Sequence, residues 1–132
     1  MANCFDTSLL LYRKYVVAVL VTVAAVASAQ DYPTRPVRLV VGFPPGGSND
    51  IVARNVAPKL SELLGGQVVV ENRPGANAII GTDYVAKAAP DGYTLALSGV
   101  SPIVISPHTY PKLPYDPMAD FAPITTVAMT PE

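Results

Sequence analysis

The chain has 132 residues, with 9 Lys and Arg against 10 Asp and Glu, a net charge of −1, and 50% apolar residues. That length allows at most one small domain, and the apolar content excludes a disordered polar chain. The near balance of charge gives no electrostatic footprint for nucleic acid, so no nucleic-acid partner is expected.

Taken in chain order, Arg13 and Lys14 precede an apolar run from Tyr15 to Ala27, followed by the small-x-small sequence Ala27-Ser28-Ala29. A basic start, a run of this length and such a site read as a cleaved secretory signal peptide over residues 1–29. A membrane anchor is the alternative, but the run has 13 residues, and crossing a bilayer takes about 20. Cleavage after Ala29 would remove Cys4, the chain's one cysteine. The exported domain then has no disulfide and no thiol chemistry. With His108 as the one histidine, no metal site is expected either.

Residues 37–43 form a near-continuous, β-branched apolar run, as in a strand buried on both faces of a parallel sheet. After a Pro-Gly loop, Ser48 stands where a helix would be capped. Val52, Val56, Leu60 and Leu63 then recur at helical spacing, with Leu64 widening the stripe, and Gly65-Gly66 ends the helix. Pro58 lies inside that pattern and predicts a kink. Residues 67–71 read as a second strand and 72–77 as a loop. Residues 79–88 read as a second helix, with Ile80, Tyr84 and Lys87 on its stripe. Pro90-Asp91-Gly92 is a turn, and 94–98 a third strand. From Pro102 onward, recurrent prolines argue against regular structure, apart from a further strand over 124–129. Strand, helix, strand, helix, strand with short connections is an α/β arrangement with a parallel sheet and flanking helices.

The stretch Phe43-Pro44-Pro45-Gly46-Gly47-Ser48-Asn49-Asp50 joins the first strand to the first helix. A helix start presents unpaired N–H groups and a partial positive charge. Gly46, Gly47, Ser48 and Asn49 would therefore offer amides and a hydroxyl to an anion. A tight turn with an N-cap and no ligand explains the same residues. Gly47-Ser48-Asn49 lacks the lysine of a phosphate-binding P-loop. The glycine spacing is wrong for a dinucleotide fold, although Glu71 ends the second strand about where a ribose-binding acid would stand. Asp50 complements the helix dipole, a structural role. Gly75 and Asn77 in the second loop, and Ser98, Gly99 and Ser101 after the third strand, should reach the same sheet edge. His108 is the one candidate base for a serine and lies in a proline-rich segment, so no catalysis is expected.

The run from Tyr32 to Gly99 resembles the Bug family, the TctC-like receptors of tripartite tricarboxylate transporters. The resemblance is carried by Pro45-Gly46-Gly47-Ser48 with Asp50, Asn72-Arg73-Pro74-Gly75-Ala76, Pro90-Asp91-Gly92-Tyr93-Thr94 and Asp120-Phe121. It implies a two-lobed periplasmic receptor, monomeric at full length, that closes on a small organic acid and hands it to a membrane permease. No cofactor and no reaction are implied. Carried over residue by residue, the ligand positions are Phe43, Pro44, Gly46, Gly47, Ser48 and Asp50 in the first loop. Gly75, Ala76 and Asn77 follow in the second, and Ser98 and Ser101 in the third. Residues 30–132 would form the N-terminal portion of the first lobe, with the second lobe outside the chain. A nucleotide-binding α/β enzyme domain and a non-functional truncated product are the alternatives.

Overall fold

The computed structural model describes residues 32–129; the expected signal peptide lies outside them. A three-stranded parallel sheet has the order β2-β1-β3, with β1 Val37–Val41, β2 Val68–Asn72 and β3 Thr94–Leu97. Helix α1 (Ser48–Leu64) connects β1 to β2, and α2 (Ile79–Ala86) connects β2 to β3. The registers run from Val37 opposite Val68 to Val41 opposite Asn72, and from Arg38 opposite Thr94 to Val41 opposite Leu97. All three strands therefore end at one edge, which is where the connecting loops begin. Among the described residues no helix is long and apolar enough to cross a membrane.

The central strand is the most buried, as its composition requires. Val37, Leu39 and Val41 face α1 and meet Ala53, Ala57 and Val68 in the core. The inward face of α1 keeps only part of the predicted stripe: Leu60 and Leu64 pack on the core and Val52 and Val56 are half-buried. Ala53 and Ala57 are buried, Leu60 and Leu64 pack beside them, and Leu63 is 75% exposed. Alanines bring the helix backbone close to the sheet, and the valines of β1 supply the apolar volume, so the bulkiest helix residues lie on the flanks. Pro58 sits on the exposed side of one continuous helix. Gly65 ends α1 at φ 67°, with the amides of Gly65 and Gly66 donating to the carbonyls of Glu62 and Ser61.

The second helix also presents another face than expected. Ile79, Gly81 and Thr82 are buried, whereas Ile80 is 55% exposed. Close backbone approach decides this. A Cβ on Gly81 would lie 2.8 Å from the Arg73 carbonyl and the Gly42 Cα, and one on Gly42 would lie 2.5 Å from the Ala78 Cβ. The start of α2 is thus seated on the end of β1, and Ile80 points away.

Beyond β3, prolines do not abolish structure. A π-helical turn spans Ser101–Ile105 and runs into α3, Ser106–Thr109. Pro102 and Pro107 occupy first-turn positions, where no backbone N–H is needed. Tyr115 is buried and its hydroxyl donates to the Pro102 carbonyl at 2.7 Å. No strand forms over 124–129. Among the described residues nothing pairs with that segment, and Ile124 and Met129 are 78% and 87% exposed.

Candidate functional site

The loop after β1 is held from inside α1. Gly47, not Ser48, is the N-cap, and it makes no side-chain cap bond. Asp50, 2% exposed, instead holds the turn that precedes the helix. Its Oδ2 accepts from the Gly46 amide at 2.8 Å and from Arg54 Nε at 2.9 Å, and its Oδ1 accepts from Asn72 Nδ2 at 2.8 Å. Asn72 Nδ2 also donates to the Phe43 carbonyl at 3.1 Å, and Arg54 Nη2 donates to Asn72 Oδ1 at 3.0 Å. The Arg54 guanidinium first, then the Gly46 and Asn72 donors, hold the Asp50 carboxyl down at about 2 from an ordinary 3.8.

These bonds decide which amides remain for a ligand. Gly46 N–H is committed to Asp50, and Gly47 N–H points to the Pro44 carbonyl at 3.3 Å. The first amide to close back along the helix is Ile51, on the Gly47 carbonyl at 2.9 Å. The amides of Ser48, Asn49 and Asp50 therefore precede the helical ladder, at the positive end of the α1 dipole. The donor set lies one to three residues downstream of the two glycines. Gly46, at φ 85°, serves the turn itself.

The three loops do meet. A Cβ on Gly99 would lie 3.4 Å from Asn49 Nδ2 and 3.9 Å from the Phe43 ring, so the third loop touches the first. Gly42 against Ala78, and Asn72 on Phe43, join the second loop to the first. Gly75, Ala76, Asn77 and Ala78 all have positive φ, at 140°, 46°, 53° and 68°. Three of these are not glycine, a left-handed turn that costs energy and is held by the seating of α2. Pro44, Gly46, Ser48, Ala76, Asn77 and Ser98 are exposed, while Phe43, Gly47, Gly75 and Ser101 are half-buried. Ser101 begins the π-helical turn, and its carbonyl accepts the Ser106 amide.

Two residues of this network were not candidates from the sequence: Arg54, and Asn72, which enters there only as part of the family motif. Arg54 had a legible signal, four residues after Asp50 on one helix. Asn72 had none beyond its place at a strand end. Glu71 is not free to hold a ribose. Arg38 donates to its Oε2 at 2.9 and 2.7 Å, and Arg73 to its Oε1 at 2.7 Å. Burial works to raise the Glu71 carboxyl, but these arginines outweigh it and hold it below the ordinary range. Arg73 in turn stacks 3.6 Å from the centre of the Tyr84 ring. A cavity of about 580 Å³ opens beside this stack, towards the amino ends of β1 and β3, and none of the expected ligand residues lines it.

The model of the tripartite tricarboxylate transporter family receptor matches residues 52–132, more than half of the chain. The chain belongs to this receptor family. Its members are solute receptors, and this one is similar to BugT of Bordetella pertussis, with 47% identity over 110 residues, which is 83% of this chain and 34% of that protein. The chain is also similar in structure to MatC from Rhodopseudomonas palustris with bound malate, at 38% identity and TM-score 0.67 over 70% of this chain and 31% of MatC. A second R. palustris structure, solved with adipate, matches at 38% identity and TM-score 0.59 over 66% of this chain and 29% of that one. The chain spans about a third of the length of the curated relatives it matches.

Proposed function

We propose that the chain builds one wall of the ligand cleft of an exported solute receptor, which binds a small organic carboxylate and delivers it to the permease of a tripartite tricarboxylate transporter. The observation that carries this reading is the convergence of three strand-end loops around the first-turn amides of α1. An anionic oxygen is what such a helix start accepts. The ligand contacts we propose are the amides of Ser48, Asn49 and Asp50, the Ser48, Ser98 and Ser101 hydroxyls, and the backbone of Gly75, Ala76 and Asn77. Phe43 and Pro44 form the lip of the first loop, and Gly46 and Gly47 shape its turn. The Asp50 side chain aims the loop from behind, since both of its oxygens are already bonded.

Malate and adipate, bound by two structural neighbours, are both dicarboxylates, which supports the ligand class. The basic and apolar leader pattern over residues 13–29 supports export to the periplasm. A thermal-shift screen of the chain against malate, adipate and other organic acids, each beside its neutral diamide, tests the reading. Acids should raise the melting temperature and diamides should not. A flat response to every acid sinks the reading.

A further inference from the structure

The loops that converge on the α1 amides carry almost no charge. Among residues 42–50, 74–78 and 98–101 the sole ionisable side chain is Asp50, which is buried and bonded. The two nearest arginines are occupied: Arg54 on Asp50 and Asn72, and Arg73 on Glu71 and the Tyr84 ring. Among the described residues, an acid on these loops would meet neutral donors at one end, and the adjoining arginines already hold partners. The same loops and the segments that flank them carry exposed apolar groups. Ile51, on the first turn of α1, is 54% exposed. Val100 is 64% exposed and follows Gly99, the residue that touches Asn49 and the Phe43 ring. Val104, four residues on in the π-helical turn, is 55% exposed.

We infer that this wall selects carboxylates of low charge with a hydrocarbon body, over tricarboxylates and polyhydroxylated acids. The inference rests on the carboxylate-binding reading and narrows its ligand class. The physical reason is twofold. Each carboxylate added to a ligand must be stripped of water, and a wall whose arginines already hold partners returns little for it. Each methylene laid on Phe43, Ile51 and Val100 leaves water favourably.

The test is titration calorimetry on the full chain with succinate, glutarate, adipate and pimelate, plus citrate and tartrate. Affinity should rise along the methylene series by about two- to fourfold per carbon, the upper figure being full burial of a CH₂. Citrate and tartrate should bind at least tenfold more weakly than adipate. Val100→Ser should flatten the series, and the exposure of Val100 keeps the fold out of the comparison. Citrate binding as tightly as adipate, or a Val100→Ser series with an unaltered slope, would overturn the inference and leave the carboxylate reading standing. If none of the acids binds, both fall.

Discussion

Asn72 donates from one amide nitrogen to Asp50 Oδ1 at 2.8 Å and to the Phe43 carbonyl at 3.1 Å, so the end of β2 fixes both ends of the loop that precedes α1. A short side chain at a strand terminus thereby sets where the first-turn amides of the helix point. Asn72→Ala removes both bonds and leaves a buried carboxylate oxygen without its donor. We expect a loss of about 1–3 kcal/mol in urea unfolding. Arg54→Ala, which removes a guanidinium that is 54% exposed and whose place water can take, should cost less. The reverse order would mean that the ion pair, and not the amide, holds the loop.

The same site gives an acid-dependent stability. The Asp50 carboxyl is held at about 2 in the fold, against an ordinary 3.8. The unfolded chain therefore takes up this proton more readily than the folded one. The stabilisation is fully present above the ordinary value and drains away as pH falls from about 4 towards 2. Glu71 is shifted in the same direction, so the total acid response belongs to more than one group. The difference between the chain and its Asp50→Asn variant isolates Asp50. Melting curves of the two should be well separated at pH 6 and converge on acidification. Curves that stay parallel down to pH 2 would show that Asp50 is not the titrating group.

Gly42 and Ala78 occupy space that only one Cβ can fill. A Cβ built on Gly42 would sit 2.5 Å from that of Ala78. Gly42→Ala should therefore destabilise by about 1–3 kcal/mol through overpacking. Ala78 has φ 68°, where glycine is at ease, so Ala78→Gly both clears the space and relieves the backbone. The double variant should recover stability relative to Gly42→Ala alone, giving a non-additive cycle. Additive costs would place the two loops apart.

The strand and helix order was legible because it rests on strong local signals: the β-branched run at 37–43, the glycine pair after Leu64 and the Pro90-Asp91-Gly92 turn. The strand-end loops were legible as a group for the same reason, since parallel strands must end on one side. The faces of the helices were legible only in part, through Leu60 and Leu64. Hydropathy ranks Val52 and Leu63 above Ala53 and Ala57, yet α1 docks through its alanines because they let the backbone approach β1. The cap was not legible. A serine in that position is a sound local choice, but the helix already begins at Ser48, so Gly47 stands at the cap, while the buried Asp50 ties the preceding turn to Asn72, a partner 22 residues away in sequence. Structure after Pro102 was missed because prolines at first-turn positions allow a helix that the same prolines elsewhere would break.

The offset of the α1 face is itself open to test. Leu63 belongs to the predicted stripe but is 75% exposed, whereas Ala57 is 5% exposed against the sheet. Leu63→Lys should leave the unfolding free energy within about 0.5 kcal/mol of the parent, as for a surface position. Ala57→Leu adds volume where α1 meets the core, and should cost about 1–3 kcal/mol. The pair separates the two helix faces because hydropathy alone predicts the opposite order: a lysine would ruin an inward Leu63, and a leucine would be harmless on an outward Ala57. A severe loss at Leu63 would rotate α1 by one residue, and with it the Asp50 carboxylate and the amides that Asp50 aims.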